Sequence, residues 1–337
     1  MSQTRPWFHG GGLHWAWSSL RGNVVSSKSM KIAIVGPGAM GCLFAALLRE
    51  AGHEVWLLDK SVERASKIAG SGVLIEGIGG TRKLNVESTG NARDIGGAEL
   101  IFIWVKAYDT EAAVKSALPL LTERSDVVSL QNGLENLETI ARYVDPERVI
   151  AGVTSHGATV LAVGSVRHTG KGDTLIGRIG KQADRGLHRA VRVLSEAGIE
   201  VKVSRDIQGA IWSKLIISSA INPLTAITRM KNGQLLESPE TRRLLDLVAA
   251  ESEKIAIGTG ISLAYPDMKS QVRAVCLATA SNRSSMLQDI LRGRRTEIDA
   301  INGALAAKAR ALDMEAPLNE MLACLVKTLE KGAGLGA

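Results

Sequence analysis

An α/β chain is predicted, with a parallel-sheet domain first and an all-α domain after it, and three observations predict it. The first is Gly36-Pro37-Gly38-Ala39-Met40-Gly41, which lies directly after the apolar run Lys31-Ile32-Ala33-Ile34-Val35 and directly before a helical stretch. In that setting the first glycine permits a tight turn, the second lets backbone approach a pyrophosphate, and the third lets the helix pack closely on the strand. The second is Glu54-Val55-Trp56-Leu57-Leu58, a strand ending in Asp59. That acid stands roughly 18 residues past Gly41, where such a fold places the carboxylate that bonds ribose hydroxyls. The third is a change of texture near Asp206, beyond which long Ala- and Leu-rich segments replace short β-prone ones. Together they describe a Rossmann-type dinucleotide-binding domain over residues 30–205 and a helical domain over residues 206–330.

Composition agrees with two cores and narrows the class. A length of 337 residues suits two domains, and 45% hydrophobic with 22% charged residues is ordinary for a globular protein. Cys42, Cys276 and Cys324 are widely spaced and lack a CxxC pairing, so neither a disulfide framework nor a metal site is expected, and a reducing, cytoplasmic compartment fits. The net charge of +7 is spread among 34 acids, and the densest basic cluster, Arg292-Gly293-Arg294-Arg295, is short and soon followed by Glu297. No nucleic-acid partner is expected. The greasy stretch Leu215 to Ile227 is interrupted by Ser218, Ser219, Asn222 and Pro223, which reads as well short of a membrane span.

Residues 1–29 differ from the rest, with Trp7, Trp15, Trp17 and Arg5, many serines and no acid. A transit peptide has such a composition, but Met30 stands one residue before the first strand, and an upstream start is the preferred account. The extension is left out of the fold.

Along the chain, Ala39 to Ala51 reads as a helix, with Leu43, Ala46, Leu47 and Ala51 at helical spacing and Gly52 as its C-cap. Leu100 to Val105 reads as a strand ending in Lys106, and Asp126 to Leu130 as one ending in Gln131-Asn132-Gly133. Ligands of open parallel sheets lie beyond the carboxyl ends of the strands, which turns Lys106 and Asn132 toward a cofactor. From Arg148 to Gly180, short β-prone runs separated by glycines are expected to complete the sheet. The helical part includes Thr241 to Gly260, Pro266 to Leu291 and Thr296 to Leu312.

Ile207 to Ile227 is predominantly apolar, yet Lys214, Ser218 and Asn222 fall at i, i+4 and i+8 and so share one helix face. Burial disfavours the charged form of a lysine and lowers its pKa, which makes it a usable proton donor near neutral pH. A lysine snorkelling to solvent explains the same spacing equally well. Asn222-Pro223 is expected to break the helical ladder, because proline has no N–H. Farther on, Asn282, Ser285 and Asp289 are spaced to share a helical face, and Glu297 follows. Most polar faces are merely solvated.

These residues resemble the ketopantoate reductases, also called 2-dehydropantoate 2-reductases. The resemblance runs from residue 30 to about 330, through GPGAMG, LQNGLEN, GVTSHGA, WSKLIISSAINPLTAI, KNGQLL, SNRSSMLQDI and RRTEIDAINGAL. It implies NADPH-dependent reduction of a 2-keto acid, with Lys214 as proton donor and Glu297 holding the reacting oxygen and that lysine. It implies substrate contacts from Ser218, Asn222, Asn232 and Asn282, with Ser285, Met286, Leu287 and Gln288 wrapping the carboxylate and hydroxyl. Gly36, Pro37, Gly38, Ala39, Met40 and Gly41 would hold the pyrophosphate, and Lys106, Asn132, Ala158 and Glu297 would touch the cofactor. Ser218 stands where many members carry asparagine, which loses reach. Asp59 favours NAD whereas Lys60 suits the 2′-phosphate of NADP, and Lys106 together with family habit inclines the choice to NADP. An NAD-dependent D-2-hydroxyacid dehydrogenase is the nearest alternative, and a dinucleotide sensor without turnover a more distant one. Helical second domains of this kind often pair, so a homodimer is compatible. Placing cofactor and acid on different domains implies a cleft closing about residue 205, and identical small-angle scattering with and without ligands would count against it.

Overall fold

The computed structural model describes residues 29–180 and 183–333, so the expectation for the N-terminal extension falls outside the described residues apart from Ser29. Strand β1 (Lys31–Val35) is buried past its first residue, as a strand covered by helices on both faces must be. The glycine turn leads into α1 (Ala39–Glu50), then β2 (Glu54–Leu58) and α2 (Val62–Ser71). A short excursion follows in β3 (Val73–Gly77), β4 (Arg82–Leu84), β5 (Glu87–Thr89) and α3 (Ala92–Ile95). The alternation resumes with β6 (Leu100–Ile103), α4 (Thr110–Ala117), β7 (Asp126–Ser129), α5 (Glu135–Ala141) and β8 (Val149–Thr154). Next come β9 (Gly157–Ala162), β10 (Ser165–Gly170), β11 (Thr174–Gly177), α6 (Arg185–Glu196) and β12 (Val201–Val203).

Eight strands form one sheet in the order β12-β11-β8-β7-β6-β1-β2-β5. Neighbours are parallel except β8 and β11. The carboxyl ends of β1, β2, β6, β7 and β8 therefore open on one edge. Gly36, Asp59, Lys106, Asn132 and the segment after Thr154 all stand at or just beyond that edge.

The expectation that residues 148–180 complete this sheet holds for β8 and β11 only. Strands β9 and β10 pair with β3 and β4 in a separate sheet, ordered β4-β3-β10-β9. Its strands pack on α1. The reason lies in one-sided burial: Val166 and His168 of β10 are buried while Arg167 and Thr169 are exposed, a pattern that suits a sheet wet on one face. Val166, Ile75 and the α1 residues Phe44 and Leu48 share one apolar cluster.

The helical part begins with α7 (Ile207–Thr228), followed by α8 (Pro239–Gly258), α9 (Met268–Ala278), α10 (Ser285–Leu291), α11 (Ala304–Arg310) and α12 (Pro317–Ala333). Among the described residues α7 is the one helix whose length and composition would suffice to cross a membrane, contrary to the reading of its serines and proline as disqualifying. It lies instead at the centre of the helical core, packed against α8, α9, α10 and α12, with 72% of its most apolar stretch buried. The periodic stretch Pro266 to Leu291 is two helices. Ser284 ends the intervening loop by accepting from Leu287 N (3.0 Å) and from Thr225 Oγ1 (2.6 Å), which starts α10 afresh. Thr296 to Leu312 likewise divides into a π-helical turn over Asp299–Gly303 and α11.

Pro223 does not break α7. Its missing N–H leaves the Ser219 carbonyl without its usual partner four residues on, and Asn302 Nδ2 supplies the bond at 3.0 Å. Asn302 sits in the π-helical turn, is fully buried, and also donates to Asn319 Oδ1 (3.0 Å). Asn302→Ala is expected to cost about 1–3 kcal/mol in denaturant unfolding, because a buried carbonyl loses its donor. Adding Pro223→Ala, which restores a backbone N–H to that carbonyl, is expected to recover part of the loss.

Candidate active site

At the β1–α1 corner Gly36 has φ +102°, and a Cβ there would sit 2.8 Å from Val105 Cγ1 and 3.0 Å from the Trp104 carbonyl. A Cβ on Gly41 would lie 2.1 Å from the Gly36 carbonyl oxygen, so helix and turn approach as closely as backbone allows. Gly38 is different, since nothing lies within 4 Å of the Cβ it lacks. It is also the N-cap of α1 and offers no side-chain acceptor, and the first turn holds no acid. The N–H groups of Ala39, Met40 and Gly41 belong to the first turn, which has no intrahelical acceptor for them, at the positive end of a helix dipole. Pro37 takes part through its carbonyl, which accepts from Cys42 Sγ (3.3 Å). The residues present fit a pyrophosphate.

The acid at the end of β2 stands where the sequence reading places it, but its carboxylate is already engaged. Asp59 is buried, and its carboxylate accepts from Ser61 N (3.0 Å), Arg64 Nε (2.8 Å) and Arg64 Nη2. It is occupied by an arginine rather than open to a ribose. Lys60 projects outward and pairs with Asp109 at 2.8 Å.

Lys106 reaches from the sheet to the helical part. Its Nζ donates to Asp289 Oδ2 (2.6 Å) and Glu297 Oε2 (3.1 Å), while Ala107 N donates to Glu297 Oε1 (3.1 Å). Burial alone would depress the Lys106 pKa, but the Glu297 and Asp289 carboxylates more than offset it and hold the pKa well above the ordinary lysine value. Burial raises the pKa of Asp289, and Lys106 opposes that rise.

Lys214 and Ser218, on the α7 face that the spacing picks out, line a cavity with Gln131, Asn132, Gly133, Val153, Ile211 and Leu215. Lys214 Nζ donates to the Thr154 carbonyl at 3.1 Å. Burial pulls its pKa down to about 8, with the charge of Glu297 acting the other way. Glu297 does not itself hold Lys214, because its two oxygens are taken by Lys106 and Ala107. The loop under the cavity is braced by Gln131, whose Nε2 donates to the Val105 carbonyl (2.8 Å) and Thr110 Oγ1 (2.9 Å). The Asn132 carbonyl accepts from Asn136 Nδ2 (2.7 Å). Ala158 pairs with His168 in the smaller sheet and packs on the cluster that includes α1.

The remaining candidates are on the helical side. Asn222, partly buried, continues the Lys214 face of α7. Asn232 is buried: its Nδ2 donates to Thr279 Oγ1 (2.8 Å) and its N to the Asn282 carbonyl (3.0 Å), while its Oδ1 has no partner among the described residues. Asn282 precedes the cap of α10, so it does not share a helix face with Ser285 and Asp289 as the spacing suggests. Ser285 is exposed at the first position of α10, and Gln288 Nε2 donates to the Arg283 carbonyl (3.0 Å). Met286 and Leu287 are buried, and Leu287 N is already taken by Ser284 Oγ.

Sequence reasoning missed the Thr154 carbonyl, the bracing by Gln131, the pairing of Asp289 and the arginine on Asp59. A main-chain acceptor leaves no side-chain signal. The signal for Arg64 is its place five residues past Asp59, on the first turn of α2.

Known proteins resemble the chain over most of its length. The family model described as "Ketopantoate reductase PanE/ApbA" matches residues 32–181, and that described as "Ketopantoate reductase PanE/ApbA C terminal" matches residues 206–330. A 2-dehydropantoate 2-reductase of Archaeoglobus fulgidus is 36% identical over 307 residues, and one of Pyrococcus horikoshii 37% over 309. Each alignment covers 90% of this chain and 99% of the relative. A PanE/ApbA family ketopantoate reductase from Ralstonia eutropha superposes with a TM-score of 0.83 at 31% identity, covering 90% of this chain and all of that one. D-mandelate dehydrogenase, solved with NADH and anilino(oxo)acetate, superposes at 0.85 with 26% identity and the same coverage.

Proposed function

Because the chain belongs to the ketopantoate reductase family, we propose that it catalyses the reduction of 2-dehydropantoate to (R)-pantoate with NADPH, a step of pantothenate and coenzyme A synthesis. The observation that carries this reading is Lys214, an amine with a pKa near 8 at the wall of a cavity where sheet and helical residues meet. Bound NADPH supplies the hydride. Lys214, protonated at neutral pH and oriented by the Thr154 carbonyl, gives its proton to the oxygen of the C2 carbonyl as negative charge develops there. Glu297, through its charge, favours the protonated lysine.

The other roles follow from placement. The turn from Gly36 to Gly41 and the N-terminus of α1 hold the pyrophosphate, and Asn132, Ala158, Lys106 and Glu297 line the rest of the cofactor's path. Ser218 and Asn222 continue the Lys214 face toward the substrate. Asn282, the exposed Ser285 and Gln288 take its carboxylate. Asn232 Oδ1, buried without a donor, suits a substrate hydroxyl. Asn232→Ala is expected to raise KM for ketopantoate about tenfold with a smaller change in kcat, read from steady-state rates. Residues 30–205 act as the cofactor domain and residues 206–330 as the substrate domain, in a cytoplasmic enzyme that a homodimer would suit.

Initial rates with NADPH and NADH against ketopantoate and other 2-keto acids test the reading. NADPH turnover of ketopantoate is expected. Turnover confined to NADH, or to other 2-keto acids, would move the chain to the D-2-hydroxyacid dehydrogenases.

A further inference from the structure

We propose that Arg64 is the residue that reads the 2′-phosphate of the cofactor, and that Asp59 serves to hold that arginine rather than to bond the ribose. The inference rests on the NADPH reading and deepens it.

Asp59 follows the last residue of β2, and Gly36 N donates to the Leu58 carbonyl beside it (2.9 Å), so the acid borders the pyrophosphate turn. That is where the adenosine ribose of a dinucleotide on this fold would come. An acid that reads ribose hydroxyls must present free oxygens to them. Here both oxygens are spent: Oδ1 accepts from Ser61 N and Arg64 Nη2, and Oδ2 from Arg64 Nε. The residue is 2% exposed.

Arg64 is fixed from two sides. Its backbone N donates to Ser61 Oγ, the N-cap of α2 (3.2 Å), and its side chain folds back so that one edge of the guanidinium grips Asp59. About half of the side chain stays exposed, at 49%, and Nη1 has no hydrogen-bond partner among the described residues. A planar cation held in one orientation with free N–H groups is suited to a phosphate monoester, and little rotamer freedom is left to lose on binding. Lys60 is a poorer reader. Its side chain is 73% exposed, it carries no comparable support, and its partner Asp109 competes for it. Exposed pairs of that kind contribute little, so Lys60 adds charge to the pocket but little selectivity.

The two accounts of Asp59 predict opposite signs. An acid facing the ribose repels a 2′-phosphate, so neutralising it would improve binding. An acid that holds the reading arginine weakens binding when neutralised. Calorimetry on the full chain with adenosine 2′,5′-bisphosphate and with 5′-AMP, which differ only in the 2′-phosphate, distinguishes them without turnover. Wild type is expected to prefer the bisphosphate. Arg64→Ala is expected to weaken the bisphosphate about 10- to 100-fold and leave 5′-AMP unchanged. Asp59→Asn is expected to weaken the bisphosphate selectively, and Lys60→Ala to weaken it less than about threefold. Tighter bisphosphate binding by Asp59→Asn, an unchanged preference in Arg64→Ala, or equal loss of both ligands would overturn the proposal. A wild-type chain that prefers 5′-AMP would overturn the NADPH reading itself, whatever the variants do.

Discussion

Lys214→Ala is expected to lower kcat for ketopantoate reduction by about 10²- to 10⁴-fold, the range for a lost general acid. The pH dependence identifies the cause. Only the protonated amine can donate, so wild-type reduction is expected to fall as pH rises through about 8, and this alkaline limb is expected to vanish in the variant. Stability runs the other way. The amine titrates near 8 in the folded chain and near 10.5 when unfolded, so between those values the unfolded chain binds more protons. Stability then rises with pH across that window, and below it the folded chain carries the full cost of a withdrawn charge. Lys214→Met is therefore expected to stabilise the protein at pH 7 by about 1 kcal/mol or more while abolishing turnover. Retention of activity within threefold, or persistence of the alkaline limb, would remove Lys214 from the proton transfer.

Two glycines of the turn are expected to separate folding from binding. Gly41→Ala places a methyl 2.1 Å from the Gly36 carbonyl oxygen, a contact that only backbone movement can relieve. It is expected to lower the melting temperature by several degrees and weaken NADPH more than about 100-fold, since the N–H groups of the first turn lose their aim. Gly38→Ala meets nothing within 4 Å, and its φ of −76° suits alanine. Its melting temperature is expected to stay within about two degrees while NADPH affinity drops about tenfold or more, because the methyl occupies space meant for the pyrophosphate. Thermal melting and NADPH titration read both variants. Unchanged NADPH binding in Gly38→Ala would place the pyrophosphate elsewhere.

The parts legible in the sequence were those whose meaning is local. Gly36 to Gly41 between an apolar strand and a helix determines its own conformation, and the Lys214 stripe follows from helical periodicity. Two of the misread parts depend on distant partners and two on neighbours a few residues away. Strands β9 and β10 have ordinary β-prone sequences, and only the outer face of α1 decides that they join β3 rather than the large sheet. Pro223 carries a helix-breaking signal that Asn302 cancels from far along the chain. Asp59 keeps the position of a ribose acid, but Arg64 changes what it can do. Asn282 lies off the helix because Ser284, two residues later, is the residue that caps α10.

The bond between Asn302 and Ser219 also bears on the order in which the chain is made. The two residues are 83 positions apart, so α7 leaves the ribosome long before the side chain that completes its backbone bonding. Until then its proline leaves one carbonyl to water, and its apolar faces lack α8 to α12. During synthesis the sheet part can close on itself, whereas the central helix must wait, and the nascent chain meets chaperones with its most apolar segment still uncovered.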